Sequence, residues 1–474
     1  MLRSQNGALH LRDPSAKAKA TIPPRRILRW SLAGLVLFVL VSIPVLFLAI
    51  PFSSSSLVTS SLNSRDADFI LRSLCSNKYD PTANNDNDDN PLLPQPEHAM
   101  VDHLFDKDEM DNAYGTTTPW IDDGVWHHLP VKGVLYMFVS NEDLQKARSA
   151  IKSVQDRFNH KAGYPWVILS NQYLNRDFRR YLAKTTDDAP IFFGRVDRET
   201  WDYPEWIPAS QAELALGMMA NNKVTQGASP SFHFSARYHA GFYFHHPLLQ
   251  NADYSWRVEP GSHYSCDMVD PFLQMKERNK TLGFVMTSQE ENNTMTSLWP
   301  ITSQFALQFP NHVRPSHETI LPWLFDDVGS SSGFNYCHIW SNFHIVDLSF
   351  LRSEEYQTYF AFLDYSGGFF YERWSDGSVM TMAAAMFLKR QELHFFHEIG
   401  YEYRLGNHCP LSLTAYYPRC YCDVELNSDF NKDSCTISML LHIDKDRISE
   451  MVQFTRNHLS SAGRTDSLLS RLYA

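Results

Sequence analysis

The sequence lacks the excess of basic residues that a general nucleic-acid binder needs, because 42 Lys and Arg stand against 53 Asp and Glu, a formal net charge of -11. Its seven cysteines in 474 residues are too few for a small disulfide scaffold. The sequence shows no internal repeat. With 43% hydrophobic and 14% aromatic residues, the chain has ample material for a packed core, which excludes wholesale disorder.

Charge is unevenly distributed near the N-terminus. Residues 1–30 carry seven basic residues and one acidic residue, whereas residues 31–50 (SLAGLVLFVLVSIPVLFLAI) carry no charge. A helix of that length spans about 30 Å, which matches one bilayer core. A cleavable signal peptide and a buried core helix are the alternatives, but the apolar stretch exceeds a usual signal core. The pattern therefore predicts a single transmembrane span.

The charges on either side of this span predict its orientation. Arg25, Arg26 and Arg29 directly precede it, whereas residues 66–123 carry fourteen acidic and three basic residues. Because basic residues mark the cytosolic side, we expect the rest of the chain in the lumen. The predicted parts are a cytosolic tail (1–30), a signal-anchor helix (31–50), a largely disordered stem (51–120), a globular domain (121–435) and a C-terminal extension of unknown role (436–474).

Strand and helix patterns alternate within the predicted globular domain. Short apolar runs at 133–140 (GVLYMFVS), 165–170 (PWVILS) and 191–196 predict buried strands, and residues 141–159 predict an amphipathic helix. Such alternation indicates an α/β domain with a mainly parallel sheet. Ligands of these domains bind at the carboxyl ends of the strands.

The cysteines predict disulfides with at least one thiol left over, because an odd number cannot all pair internally. The group Cys409, Cys420, Cys422 and Cys435 has spacings that also suit zinc, but an oxidising lumen favours disulfides. Two glycosylation sequons, which begin at Asn279 and Asn292, are compatible with a lumenal domain. The seven cysteines are Cys75, Cys266, Cys337, Cys409, Cys420, Cys422 and Cys435.

Three aromatic-rich segments follow one another in the second half of the chain. They are Arg237–Gly261 (RYHAGFYFHHPLLQNADYSWRVEPG), Tyr336–Phe343 (YCHIWSNF) and Gly367–Asp376 (GGFFYERWSD). Together and in this order they resemble the fungal α-1,2-mannosyltransferases of glycosyltransferase family 15. The resemblance implies a glycosyltransferase A type, Rossmann-like catalytic domain on a single-span Golgi anchor. It also implies a manganese-dependent, retaining transfer of mannose from GDP-mannose to mannosylated N- or O-linked glycans of glycoproteins.

Such a reaction requires groups that hold a diphosphate and neutralise its growing charge. In YSWRVEPG, a predicted strand at 254–258 runs into a Pro-Gly turn, and the resemblance makes Glu259 a manganese ligand. Arg257 would contact phosphate or orient a carboxylate, and Trp256 would contact substrate. An ordinary structural Arg-Glu pair at the surface is the alternative interpretation.

The segment GGFFYERWSD supplies further candidates for substrate binding. Tyr371 and Trp374 offer flat faces for a sugar or base, and Glu372 and Arg373 add charge beside them. By resemblance, Asp376 is a hydrogen-bond acceptor or base near the sugar. Because residues 379–389 predict a helix, Asp376 or the serine before it could alternatively be its N-cap.

Four positions depart from the family pattern. His344 replaces the glutamate that flanks the anomeric carbon, so we place His344 among the catalytic candidates but expect no carboxylate double displacement. Tyr403 replaces a manganese-binding histidine and is a poor ligand unless the metal ionises it. Met380 also replaces a family histidine, and Phe232 replaces a tyrosine at the expected substrate site.

Two functions of different class follow from these residues. The first is a divergent Golgi mannosyltransferase whose partners are GDP-mannose, a mannosylated glycoprotein acceptor and the membrane, with no nucleic acid. The second is a catalytically impaired relative that binds glycans or a partner protein in the Golgi. Turnover of GDP-mannose would distinguish them.

Overall fold

The computed structural model describes residues 120–325, 333–404 and 406–458. All of them belong to one compact unit, Asn63–Ala474. None of the helices in these described ranges is long and apolar enough to cross a membrane. The predicted cytosolic tail, membrane span and stem up to residue 119 lie outside the described residues, as does Cys75.

Twelve strands and fourteen α-helices occur in the described ranges. The strands are β1 (Gly133–Phe138), β2 (Trp166–Ser170), β3 (Ile191–Arg195), β4 (Tyr254–Val258), β5 (His263–Tyr264), β6 (Leu282–Phe284), β7 (Thr287–Gln289), β8 (Cys337–Ile339), β9 (Phe343–Asp347), β10 (Leu393–Phe395), β11 (Tyr401–Tyr403) and β12 (Gly406–His408). The helices are α1 (Leu144–Val154), α2 (His160–Ala162), α3 (Arg176–Ala183), α4 (Ala209–Asn221), α5 (Pro230–Gly241), α6 (Pro271–Glu277), α7 (Leu298–Gln308), α8 (Leu348–Leu351), α9 (Glu354–Ser366), α10 (Gly368–Tyr371), α11 (Asp376–Phe387), α12 (Tyr416–Arg419), α13 (Thr436–Ile443) and α14 (Lys445–His458).

The central sheet has seven strands in the order β10-β6-β9-β4-β1-β2-β3. Strands β4, β1, β2 and β3 are parallel to one another, and β6 is parallel to β10. Strand β9 runs antiparallel to both β4 and β6. The predicted α/β class with a mainly parallel sheet is thus confirmed, with one reversed strand near its centre. Two small sheets, β12-β11-β5 and β7-β8, complete the strands described.

Most element positions agree with the sequence patterns, and their ends are set by local chemistry. The predicted helix at 141–159 forms as α1, which continues through a π-helical turn (Gln155–Asn159) and α2 until Gly163 adopts φ +77°. Glycine tolerates that left-handed conformation without a steric penalty. The predicted helix at 379–389 begins three residues earlier, at Asp376, because Ser375 caps it.

The two faces of the central sheet have different characters. Opposite residues on paired strands share a face, and successive residues alternate between faces. Trp256 and Ile345 are paired and lie in the hydrophobic core. On the other face, Tyr136 pairs with Arg257 and Arg257 pairs with His344. We call this second surface the site face, because it brings polar side chains of β1, β4 and β9 together.

Of three disulfides in the described residues, two join the C-terminal part of the chain to the sheet region and the third closes a short loop within that part. Cys266–Cys420, Cys337–Cys435 and Cys409–Cys422 are bonded. The disulfide interpretation is confirmed, and the zinc alternative for the C-terminal cysteines is wrong because all four are used in these bonds. Helices α13 and α14 then pack on the same domain, with Met439, Leu440, Met451 and Phe454 buried.

Candidate active site

Arg257 is the centre of a charged cluster at the end of β4. Its Nη1 donates to Oδ2 of Asp376 over 2.6 Å, and its Nε donates to Oε2 of Glu259 over 3.3 Å. The arginine side chain is 7% exposed, whereas those of Glu259 and Asp376 are 19% and 16% exposed. We call these three residues the arginine cluster. A buried cation therefore faces two carboxylates that solvent can still reach.

Asp376 reaches Arg257 because a different residue caps its helix. Ser375 is the N-cap of α11, and its hydroxyl accepts a hydrogen bond from the amide of Ser378 over 3.1 Å. The N-cap interpretation of Asp376 is therefore wrong, and its side chain is free to pair with Arg257. Burial alone would raise the pKa of Asp376, but the guanidinium of Arg257 outweighs it and lowers the pKa. Asp376 is accordingly a carboxylate at neutral pH.

Gly377 allows the start of α11 to approach the segment between β8 and β9. A Cβ at this position would lie 2.9 Å from the carbonyl oxygen of Ile339, 3.2 Å from Oγ of Ser341 and 3.3 Å from Cδ2 of His338. A larger residue would push the helix away from these groups. The absence of a Cβ at Gly377 thus allows Asp376 to reach the site face.

His344 lies on the site face beside Arg257. Its ring is 3% exposed, and its Nδ1 is 2.9 Å from the carbonyl oxygen of Ser341. Burial, with a smaller contribution from the Arg257 cation, lowers the pKa of His344 to about 4. The imidazole is therefore neutral near pH 7, and a catalytic role for His344 stays a prediction.

Two residues that the sequence analysis did not assign to the site, Tyr136 and His239, lie at the site face. Nδ1 of His239 donates to the carbonyl oxygen of Ser235 over 2.8 Å, so its Nε2 accepts from the hydroxyl of Tyr136 over 3.1 Å. Burial first, and Arg257 second, lower the pKa of His239 to about 3. Strand β1 (GVLYMF) is an uninterrupted apolar and aromatic run, so no local signal in the sequence marked the hydroxyl of Tyr136.

Arg373 forms a second buried ion pair, with Glu290 on the loop after β7. Its guanidinium carbon lies 5.1 Å from the centre of the Phe232 ring, and its backbone amide donates to the carbonyl oxygen of Thr294 over 2.8 Å. Phe232 is half-buried and Tyr371 is half-exposed. Substrate contact by these two aromatic rings stays a prediction.

Three of the residues proposed to contact substrate have structural partners in the fold. Trp256 and Trp374 have no exposed surface, so neither ring can contact a substrate in this conformation. Trp256 lies in the core against Phe343. Glu372 accepts hydrogen bonds from Nε1 of Trp374 over 2.8 Å and from the amide of Ser297 over 3.1 Å, which anchors it at the start of α7.

The predicted manganese ligands do not form a ligand set for that ion. Within the described ranges, no group of three or more His, Cys, Asp or Glu side chains could hold a metal. Glu259 is paired with Arg257, and burial, followed by the charge of Glu259, raises the pKa of Tyr403. A neutral phenol is a weak ligand for a hard cation. Met380 is buried in α11 and adds no ligand.

Residues 93–443 match the family described as "Glycolipid 2-alpha-mannosyltransferase". The O-glycoside alpha-1,2-mannosyltransferase homolog 2 of Schizosaccharomyces pombe is 38% identical over 312 residues, which cover 66% of this chain and 81% of the relative.

Two solved structures share the fold. Core-mannan synthase A from Aspergillus fumigatus, in a Mn/GDP form, has a TM-score of 0.62 and 31% identity over 67% of this chain and 86% of its own. The mannosyltransferase Ktr4p from S. cerevisiae in complex with GDP has a TM-score of 0.64 and 25% identity over 82% of this chain and 100% of its own.

Proposed function

The chain belongs to the glycolipid 2-alpha-mannosyltransferase family and is a mannosyltransferase, and we propose that it transfers mannose from GDP-mannose to mannosylated glycans of glycoproteins with retention of configuration. The observation that carries the proposal is the arginine cluster at the carboxyl end of β4, where α/β domains bind ligands. The solved relatives that hold GDP support the choice of donor.

Arg257 is the cation of the arginine cluster, and the two carboxylates that hold it leave the cluster with one negative charge in excess. Negative charge grows on the diphosphate as the sugar leaves, and a fixed guanidinium stabilises it without reorganisation at that moment. Glu259 and Asp376 hold the guanidinium from two sides, so its direction is set before substrate arrives. Asp376, as a carboxylate, can accept a hydrogen bond from a sugar hydroxyl.

The proposal includes manganese only because the chain is similar to a protein whose structure was solved with Mn and GDP. When bound, the ion would supply positive charge to the diphosphate. Since the described residues offer one arginine-paired glutamate and a neutral tyrosine for it, we assign no step to the metal and expect a weak manganese requirement.

We further propose that the protein is a type II membrane protein of the Golgi, with its catalytic domain in the lumen. The uncharged segment 31–50 and its basic flank support this topology. Three disulfides suit an oxidising compartment. Asn279 and Asn292 are both exposed, as glycosylation would require.

The experiment is a transfer assay on the purified full chain with GDP-mannose and α-methyl mannoside. Free GDP and disaccharide are quantified with added Mn²⁺ and with EDTA, and NMR of the product gives its anomeric configuration. Formation of an α-linked disaccharide supports the proposal, and an Asp376→Asn variant serves as the site control.

A catalytically impaired protein that binds glycans or a partner is the competing function. The neutral His344 and the incomplete metal ligand set within the described ranges favour it. Binding of GDP-mannose without any disaccharide or GDP release in the same assay would support that alternative and reject transfer.

A further inference from the structure

The two glycosylation sequons lie at opposite edges of the central sheet. The amide of Thr281, in the first sequon, donates to the carbonyl oxygen of Glu392 over 2.7 Å, and its carbonyl oxygen accepts from the amide of Asp347 over 2.8 Å. Asp347 pairs with Tyr254, the first residue of β4. Asn279, two residues before Thr281, therefore lies near the amino end of β4, whereas the arginine cluster lies at the carboxyl end of that strand.

The second sequon is held beside the candidate active site. Glu290, two residues before Asn292, forms an ion pair with Arg373. Thr294, two residues after Asn292, accepts from the backbone amide of Arg373 over 2.8 Å, and its hydroxyl donates to the carbonyl oxygen of Glu291 over 2.6 Å. Two residues of extended chain span about 7 Å at most, so Asn292 stays close to both of these anchored neighbours.

Arg373 connects this segment to the expected substrate site. Its guanidinium carbon lies 5.1 Å from the centre of the Phe232 ring, which is half-buried. The charges of Glu290, Arg373 and Asp376 all act on the ring of His338. The segment around the second sequon and the arginine cluster therefore belong to the same neighbourhood.

We propose that Asn292 carries an N-linked oligosaccharide that restricts the access of bulky acceptors to the candidate active site. The inference rests on the proposed function, because only a lumenal chain receives such a glycan. Asn292 is exposed, so a group attached to it projects into solvent beside the site. A flexible, hydrated oligosaccharide excludes a folded glycoprotein from the volume that it occupies, but it leaves room for a single sugar ring.

The modification itself is an ordinary group transfer. The amide nitrogen of Asn292 forms a bond to C1 of an oligosaccharide that is carried on a polyprenyl diphosphate. The bond from C1 to the diphosphate breaks, the diphosphate leaves with its electron pair, and the amide loses one proton. Nothing is oxidised or reduced, and the lipid-linked oligosaccharide is the only co-reactant.

The test compares two acceptors on the full chain, which is produced in a eukaryotic host that attaches N-linked glycans. With GDP-mannose as donor, kcat/KM is measured for α-methyl mannoside and for the mannose-rich glycoprotein ribonuclease B. Asn292→Gln should raise kcat/KM for the glycoprotein severalfold and leave that for α-methyl mannoside unchanged. The ratio of the two constants separates access to the site from the chemistry of transfer.

Asn279→Gln is the matched control. Asn279 is also exposed but lies at the other edge of the central sheet, so its loss should leave both constants unchanged. Peptide mass spectrometry shows whether each asparagine is occupied. Trimming the wild-type protein with endoglycosidase H, which leaves one sugar on each asparagine, should reproduce the effect of Asn292→Gln without a substitution.

The outcomes separate the inference from the function it rests on. An unoccupied Asn292 overturns the inference, and so does an unchanged or lower ratio in Asn292→Gln, while transfer to α-methyl mannoside still supports the proposed function. An equal rise of the ratio in Asn279→Gln also overturns it, because the position of the glycan would then not matter. If Asn292→Gln does not fold, the trimmed wild type decides. If the wild type transfers mannose to neither acceptor, both the proposed function and the inference fail.

Discussion

Two buried arginines of this protein have similar carboxylate partners but different surroundings. Nε and Nη2 of Arg237 donate to the two carboxylate oxygens of Asp364 over 2.7 and 2.8 Å, and both side chains are at most 5% exposed. Arg257 shares its donors between Glu259 and Asp376, which are 19% and 16% exposed. We call the first the closed pair. Both arginines are buried, so burial does not distinguish them. The solvent exposure of the carboxylate partners indicates which of the two belongs to a substrate site.

The sequence does not distinguish these two roles. Arg237 begins the aromatic-rich segment that ends at Gly261, and Arg257 lies near its end, so both contributed to the same family resemblance. Arg237 joins helices α5 and α9, whereas Arg257 joins a strand to the start of α11. Resemblance therefore identifies a family but does not separate its structural residues from its chemical ones.

The largest expected effect comes from breaking the closed pair. Arg237→Met should lower the free energy of unfolding by about 3–5 kcal/mol, because it leaves the charge of Asp364 buried without a partner. Urea denaturation followed by tryptophan fluorescence measures the change. Folded protein of this variant should retain its rate of transfer, and a specific loss of transfer with normal stability would reverse the assignment of the pair.

Removal of Arg257 from the arginine cluster should lower the rate of transfer more than it lowers the stability of the fold. Arg257→Met should lower kcat/KM for transfer by about 100- to 1,000-fold, since the charge on the departing diphosphate loses its guanidinium. Its free energy of unfolding should fall less than that of Arg237→Met, because Glu259 and Asp376 can contact water. The same denaturation series and a GDP-release assay test both statements. Equal destabilisation by the two variants would remove the distinction.

Lowering the pH should reduce the free energy of unfolding, because His239 and His344 are neutral in the folded protein. The folded-state pKa values of His239 and His344 lie at about 3 and about 4, below the usual 6.5, so the unfolded chain binds more protons below pH 6.5. Stability is therefore full above pH 6.5 and falls as pH decreases toward about 4, by about 1.4 kcal/mol per pH unit for each histidine.

Urea midpoints measured from pH 7 to pH 5 test this dependence, and His344→Phe should make the decline shallower. His408 opposes the trend, because Asp429 raises its pKa despite burial, so it stabilises the fold at low pH. Removal of His408 should accordingly steepen the decline. A wild-type stability that does not depend on pH in this range would contradict the neutral state of the two site histidines.

The sequence predicted local features well and long-range pairings poorly. Strand β4 was predicted at its observed bounds because Tyr254, Trp256 and Val258 alternate with polar residues shortly before a Pro-Gly turn. The pairing of Arg257 with Asp376 joins residues 119 apart, and no local pattern encodes it. Burial of Trp256 and Trp374 was equally hidden, since an aromatic ring serves a core and a sugar site alike. Disulfide partners also depend on the completed fold.

The smallest expected effect concerns the exposed side of the arginine cluster. Glu259 is partly exposed and influences Tyr403, so a better ligand at position 403 would have an accessible carboxylate beside it. The carboxylate of the closed pair, Asp364, is shielded from solvent. Tyr403→His should bind Mn²⁺ about tenfold more tightly than the wild type, because a neutral imidazole coordinates the ion better than a protonated phenol. Titration calorimetry with Mn²⁺ and GDP measures this. Adding Glu259→Gln should abolish the gain, and a gain that survives this second change would place the added ligand elsewhere.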